Sequence, residues 1–117
     1  MKTVLDAALA RLPGALGAAV VGPDGIPVET AVTSADVNME WAAAEGMDLV
    51  RRVATAPGRD AAGDPDEITI AADARLTILR SVGAGYFLCL VAGPDVLSGR
   101  ARYEAWRTGL QLREVIG

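Results

Sequence analysis

Histidine is absent from the 117-residue sequence, and the chain has one lysine, Lys2, and one cysteine, Cys89. Without histidine the chain lacks the commonest general base, the commonest zinc ligand and any serine–histidine or cysteine–histidine nucleophile pair. A single cysteine excludes a disulfide within the chain, and its position in an apolar segment predicts a buried structural thiol. We therefore expect no catalytic residue, no metal site and no bound cofactor.

Aromatic residues, long apolar runs and basic clusters are also scarce. Aromatics make up 4% of the chain, so we expect a core of small side chains. No apolar run reaches the roughly 20 residues that a membrane-spanning helix needs. Asp6 and Arg11 interrupt the apolar N-terminal segment, which favours an amphipathic helix over a signal peptide and predicts a cytoplasmic protein that does not insert into membranes. The formal charge is −4 without a Lys/Arg run, so nucleic acid is not an expected partner.

The apolar pattern predicts eight elements in the order α-β-β-α-β-β-β-α. Because Pro27 cannot donate a ladder hydrogen bond, the second strand is expected at a sheet edge. Thr33 and Asp36 have the spacing of a capping box at the start of the long second helix. We predict a single domain over residues 1–117, an α/β three-layer sandwich in which helices cover both faces of a five-stranded, mostly antiparallel sheet. The predicted elements are Thr3–Leu12, Ala15–Val21, Ile26–Val32, Ala35–Ala56, Ile68–Ala72, Leu76–Val82, Tyr86–Ala92 and Val96–Val115, with a loop over Arg59–Glu67.

The segment Leu76–Gly93 predicts a central hairpin with a turn at Gly83-Ala84-Gly85. Its first strand alternates between two sides, and its second, Tyr86–Ala92, is apolar at every position. A strand without a polar side is usually covered on both faces. The hairpin is therefore expected in the middle of the sheet, with helices on both sides.

One face of the predicted long helix is apolar over an unusually wide arc. Its alanines and Gly46 are small and nearly contiguous, so another backbone can approach closely. The face is wider than packing on one sheet requires, which suggests that it also contacts a second copy of the chain. A helix that is fully buried within its own chain is the alternative. The candidate dimer residues on this helix are Met39, Ala42, Ala43, Gly46, Leu49 and Val53.

The opposite face of the long helix is charged, but Trp41 lies in it. Large aromatics are enriched at binding hot spots, and apolar patches with charged rims mark interaction sites. The alternative is that Trp41 folds back over the stems of Arg52 and Glu45, or that a loop covers it. The candidate partner-binding residues are Val37, Trp41 and Ala44, framed by Glu45, Asp48 and Arg52.

The last helix has two apolar stripes. Ala101, Ala105 and Gly109 recur every four residues, which predicts tight packing on the sheet, and Arg100 and Arg107 are expected on a solvated face. Leu97, Leu112, Val115 and Ile116 are expected to extend the sheet-facing stripe. Tyr103, Trp106 and Leu110 form the second stripe, which is expected to pack against the first helix.

No motif for chemistry is found. Gly83-Ala84-Gly85 precedes a strand rather than a helix, so it is not a phosphate-binding loop. Gly93-Pro94-Asp95 precedes a helix but lacks the lysine and the second glycine. Asp64, Asp66 and Glu67 do not have the spacing of a calcium loop.

Three local patterns, in this order over nearly the whole chain, resemble the Roadblock family, the group of dynein light chains and bacterial gliding regulators. The patterns are the strand–turn–strand of Gly17–Val21, Asp24-Gly25 and Val28; the strand pair Ile78–Val82 and Phe87–Val91; and Leu97, Gly99, Arg100 and Arg102 at the start of the last helix.

The resemblance implies a non-catalytic protein that forms dimers and binds a Ras-like small GTPase, as a regulator of GTP hydrolysis or as a scaffold. It implies that the central long helices pair and that the third strands join two sheets, which would place Ile68 and Ile70 in the dimer interface. In the gliding regulators the GTPase docks on the paired helices, which would bring Trp41 near the contact. Two alternatives remain: a dynein-type adaptor that binds a peptide or protein regardless of nucleotide, and a small-molecule sensor of profilin-like shape.

Overall fold

The computed structural model describes residues 1–58 and 62–117. Its elements follow the predicted order and the predicted fold class. Residues 59–61 of the predicted loop lie outside the described residues. The elements are α1 (Lys2–Arg11), β1 (Ala15–Val21), β2 (Pro27–Val32), α2 (Met39–Ala54), β3 (Glu67–Ala71), β4 (Leu76–Gly83), β5 (Tyr86–Ala92) and α3 (Ser98–Ile116).

The five strands form one antiparallel sheet in the order β2-β1-β5-β4-β3. The strand that is apolar at every position, β5, lies in the middle, and β4 lies next to it, as predicted for the central hairpin. The strand with Pro27 is an edge strand, as predicted. The other edge is β3, whose partner in the sheet is β4.

Helices cover both faces of the sheet, and each face has its own core. On one face α1 and α3 enclose a cluster that includes Leu5, Ile78 and Leu112. On the other face α2 encloses a cluster that includes Met47 and Leu79. Alternate residues of β4 enter the two clusters, which confirms the alternation predicted for this strand.

The predicted start of α2 is wrong by four residues. The helix begins at Met39, and Asn38 is its N-cap, since its side-chain oxygen accepts a hydrogen bond from the Trp41 backbone N–H at 3.0 Å. The predicted capping box does not form: the Thr33 hydroxyl donates a hydrogen bond to the Ala15 carbonyl of β1, and the Asp36 N–H donates to the Ser34 hydroxyl in a turn. Ser, Thr and Asn side chains bind backbone groups in turns as well as at helix starts, so the spacing of Thr33 and Asp36 alone did not fix the start of the helix.

Two predictions for α3 are also wrong. Leu97 and Val115 are exposed rather than packed on the sheet, and the stripe of Tyr103, Trp106 and Leu110 is exposed rather than packed on α1. The reason is that other groups occupy the side of α3 toward α1, where Arg11 forms a 2.6 Å ion pair with Glu104. The prediction that small residues pack on the sheet is confirmed, and Leu112 is buried with them: Ala101, Ala105, Gly109 and Leu112.

Candidate interaction surface

Helix α2 lies to one side of the sheet. It packs on β1, β2 and β5, and it comes close to β4 at Gly46. A Cβ atom added at Gly46 would lie 2.5 Å from Cδ2 of Leu79, closer than real Cβ contacts. The absence of a side chain at Gly46 therefore lets the helix sit directly on the sheet.

An open groove of about 570 Å³ runs between α2 and the strands at the β3 edge. Its helical wall includes Ala42 and Leu49, and its strand side includes Ile70, Thr77 and Val91. Aliphatic side chains line its middle, and the polar residues Asp36, Asn38 and Arg75 also contribute to its wall. At one end the Arg75 guanidinium donates a hydrogen bond to the Asp36 carbonyl at 3.1 Å. We call this feature the α2–β3 groove.

Trp41 stands at the rim of the α2–β3 groove and is 71% exposed. This exposure contradicts the alternative in which Trp41 folds back over Arg52 and Glu45 or lies under a loop. Asp48 and Arg52 instead pair with each other across one helical turn at 2.9 Å, with both side chains mostly in solvent. Ala44 and Glu45 are exposed beside them. The structure thus brings Trp41, Ala44, Glu45, Asp48 and Arg52 together on the outer side of α2.

Val37 does not belong to this surface. It precedes the helix, is 8% exposed and packs in the core cluster under α2. The helical wheel placed it beside Trp41 because the helix was predicted to begin at Ala35. With the true start at Met39 the wheel does not apply to Val37, and its apolar side chain turns inward.

The candidate dimer residues of α2 divide into two groups. Met39, Ala43 and Gly46 are buried against the protein's own sheet, so they offer no surface to a second chain. Ala42, Leu49 and Val53 are partly exposed. The alternative of a helix fully buried within its chain is therefore wrong, and the part of the wide face that remains open is narrower than predicted.

Strand β3 presents an unpaired backbone edge beside the groove. The Asp66 carbonyl accepts from the Ser81 N–H, and the Ala72 N–H donates to Arg75, both toward β4. Because pairing alternates along an antiparallel strand, Glu67, Thr69 and Ala71 direct their backbone groups away from β4. Their N–H and C=O groups are the ones available to another strand at this edge.

The side chains of β3 point to both faces of the sheet. Ile70 is 36% exposed and lines the groove, whereas Ile68 is half-buried and packs against the core under α2. Glu67 lies on the other face, where it binds Arg102 of α3 at 2.6 Å. Of the two predicted strand residues, Ile70 is therefore the one with surface to share.

The described residues contain no group of three or more His, Cys, Asp or Glu side chains arranged to hold a metal. Cys89 is buried, as predicted, and burial raises the pKa of its thiol to about 12. Among the described helices none is long and apolar enough to cross a membrane. Several groove residues were not indicated by the sequence, Thr77 and Arg75 among them. Thr77 is the polar residue in the apolar first half of β4, Leu76–Leu79. That irregularity is the feature from which the sequence could have indicated it.

Comparison with protein-family models and with curated proteins finds no match. Among solved structures, a Roadblock/LC7 domain from Streptomyces avermitilis superposes with a TM-score of 0.86 at 20% identity, covering 99% of this chain and 97% of that one. MglC from Myxococcus xanthus is 30% identical over 97% of this chain and 96% of its own, with a TM-score of 0.68. The chain belongs to the Roadblock/LC7 family. The gliding protein MglB from Thermus thermophilus has the same fold, with a TM-score of 0.84 at 14% identity over 97% and 85% of the two chains.

Membership of the Roadblock/LC7 family agrees with the surface described above, whose features suit contact with another protein. The family resemblance and the neighbouring structures support a non-catalytic regulatory domain. In this chain the features that fit that role are the α2–β3 groove, the open edge of β3 and the exposed Trp41.

Proposed function

We propose that this Roadblock/LC7 domain forms a homodimer through the α2–β3 groove and binds a Ras-like small GTPase, whose GTP hydrolysis or location it modulates. The single observation that carries the proposal is a half-exposed apolar helix face beside an unpaired strand edge. The family resemblance supplies the class of partner. A partner of this class would place the protein in the cytoplasm.

The dimer is supported by two surfaces that a second copy would cover at once. Ala42, Leu49 and Ile70 form an aliphatic patch in a groove that is open to solvent, and apolar patches with polar rims mark interaction sites. Beside it, β3 has backbone donors and acceptors that an identical antiparallel strand would satisfy. Because a two-fold axis brings each surface against its own copy, one symmetric interface would cover both.

GTPase binding is supported by the outer side of α2. Trp41 is exposed beside Glu45 and beside the Asp48–Arg52 pair, which is an aromatic anchor with a charged rim. Because Trp41 also stands at the rim of the α2–β3 groove, it lies next to the proposed dimer contact. Assembly and GTPase binding must therefore be measured separately.

Trp41→Ala separates the two roles. We expect the variant to melt close to the wild type, since a tryptophan that is 71% exposed loses little packing, whereas a buried Trp→Ala change costs about 3–5 kcal/mol. Its affinity for a purified Ras-like GTPase loaded with a GTP analogue should fall by about 2 kcal/mol or more, as at hot-spot tryptophans. Calorimetry or biolayer interferometry measures the affinity, and sedimentation velocity measures the assembly.

Trp106→Ala is the matched control, because Trp106 is the other exposed tryptophan and lies on the opposite face of the sheet. It should leave GTPase affinity unchanged. Unchanged affinity in Trp41→Ala would place the GTPase elsewhere, and a large loss of melting temperature would show that Trp41 belongs to the core.

A dynein-type adaptor is the second candidate, and the open edge of β3 favours it. An extended peptide can add to such an edge as a further strand. Binding by an adaptor would not depend on the nucleotide that a GTPase holds. Equal affinity of this protein for the GTP- and GDP-loaded forms would therefore favour the adaptor. For the small-molecule sensor, the discriminating result is a ligand-induced rise in melting temperature.

A further inference from the structure

The outer face of α3 carries an apolar stripe that the protein's own core does not cover. Tyr103, Trp106 and Leu110 are exposed at intervals of three and four residues along the helix. The rings of Tyr103 and Trp106 lie 5.9 Å apart. We call these three residues the α3 stripe. It extends along about two turns of helix, or roughly 10 Å, and exposed aromatic clusters of this kind mark contact sites.

Arginines flank the α3 stripe on the side toward α1. Arg100, Arg107 and Arg11 line a groove of about 440 Å³ together with Tyr103. Arg11 binds Glu104 through Nε, but its Nη2 is buried without a hydrogen-bond partner among the described residues. Within residues 1–58 and 62–117, Arg100 and Arg107 make no ion pair and no hydrogen bond. Of the three guanidinium groups, only that of Arg11 is paired with a carboxylate.

The charge of α3 is opposite to that of the whole chain. The helix carries four arginines and two glutamates, whereas the chain has a formal charge of −4. An acidic partner would be attracted to this helix and repelled by the rest of the surface. Charge complementarity of this kind fixes the orientation of a partner and raises its rate of association.

We infer that the α3 stripe and its flanking arginines dock an acidic amphipathic helix of a partner protein. Apolar side chains of that helix would pack on Tyr103, Trp106 and Leu110, and its carboxylates would accept hydrogen bonds from Arg100 and Arg107. A helix fits because the stripe is straight and has helical spacing, which suits a second helix laid along it. The inference does not depend on GTPase binding, since α3 and α2 lie on opposite faces of the sheet.

An anionic membrane is the other occupant that a basic helix with aromatic residues suggests. Two observations disfavour it. Ala101, Ala105 and Gly109 hold α3 tightly on the sheet, so the helix cannot sink into lipid, and the net negative charge of the chain opposes approach to an anionic bilayer.

The test uses the full chain and two synthetic 18-residue helical peptides. Both have the same leucine stripe, but one has glutamate and the other lysine on both flanks of the stripe. Fluorescence anisotropy of the labelled peptides should show at least tenfold tighter binding of the glutamate peptide. The variant R100E/R107E should reverse this preference, and Trp106→Ala should weaken binding of the glutamate peptide at least fivefold.

The control is R51E/R52E, which reverses two arginines on α2 and should leave peptide binding unchanged. Both double variants change exposed side chains, and circular dichroism melting verifies that each is folded. Equal binding of the two peptides, or equal losses in both double variants, would overturn the inference. So would binding to phosphatidylserine vesicles that R100E/R107E abolishes, in the absence of any preference for the glutamate peptide.

Discussion

At the scale of single residues, Gly46 sets how closely α2 approaches the sheet. A methyl group at this position would lie 2.5 Å from Cδ2 of the buried Leu79. Leu79 is fully buried, so its methyl group has little room to turn away, and Gly46→Ala should destabilise the protein by about 1 kcal/mol after the better helix propensity of alanine is included. Denaturant titration measures the loss. For the same reason, Gly46→Leu would test folding rather than dimerisation.

Gly99→Ala is the control for Gly46→Ala. Gly99 lies in the first turn of α3, and no heavy atom of the described chain would lie within 4 Å of its added Cβ. The alanine should leave stability unchanged or raise it by up to about 1 kcal/mol, because alanine favours helix. Equal effects at the two glycines would show that the close contact of Gly46 with Leu79 does not limit packing.

Cys89 is a structural thiol at the centre of the sheet. Burial raises its pKa to about 12, so at pH 7–9 it remains the neutral thiol, which is the unreactive form. A thiol reagent should modify Cys89 far more slowly in the native protein than in denaturant. Between pH 7 and 9 the rate of modification in the native protein should not exceed the rate at which the structure opens locally around Cys89. Rapid native labelling would contradict the central position of β5.

At the scale of elements, the start of α2 depends on one side chain. Asn38→Ala removes the hydrogen bond to the Trp41 N–H and should cost about 1 kcal/mol. Ser34→Ala, just before the predicted helix start at Ala35, removes only a turn contact and should cost less. The two melting temperatures decide between the caps. A larger loss for Ser34→Ala would place the functional cap at the earlier position.

The sequence was sufficient to predict the order of the elements and the central position of the hairpin. The reasons are that β5 is apolar at every position and that Pro27 requires β2 to lie at an edge of the sheet. It was not sufficient for the orientation of the outer helices. Val37 was misplaced because two adjacent segments both carry capping side chains. The stripe of Tyr103, Trp106 and Leu110 was assigned to the core because a helical wheel gives relative angles only. The contact between Arg11 and Glu104, which fills the side toward α1, is not encoded by any local pattern.

For the interaction surface, the sequence indicated Trp41 because an aromatic in a charged stripe is unusual. It did not indicate which part of the wide apolar face of α2 stays open. That depends on the position of the helix over β1, β2 and β5, which a tertiary contact at Gly46 helps to determine. The groove residue Thr77 comes from a strand 31 positions beyond Gly46, so no local window joins the two.

At the scale of the whole molecule, the two faces of the sheet offer different surfaces. On one face, the α2–β3 groove combines an aliphatic wall with an open strand edge. On the other, α3 presents aromatic residues and arginines. A homodimer through the groove would leave α3 of each copy free, so assembly and the binding of an acidic helix should not compete.

The central claim is that the α2–β3 groove joins two copies of this chain, and sedimentation velocity at micromolar concentration tests it most directly. The wild type should sediment as a species with twice the mass of one chain, which is 12.1 kDa. Ile70→Arg, which places a charge in the groove at a partly exposed position, should sediment as a monomer that keeps its fold. Val28→Arg, at an exposed position on the opposite edge strand, should remain dimeric. A wild-type monomer, or a dimer that only Val28→Arg dissociates, would contradict the account.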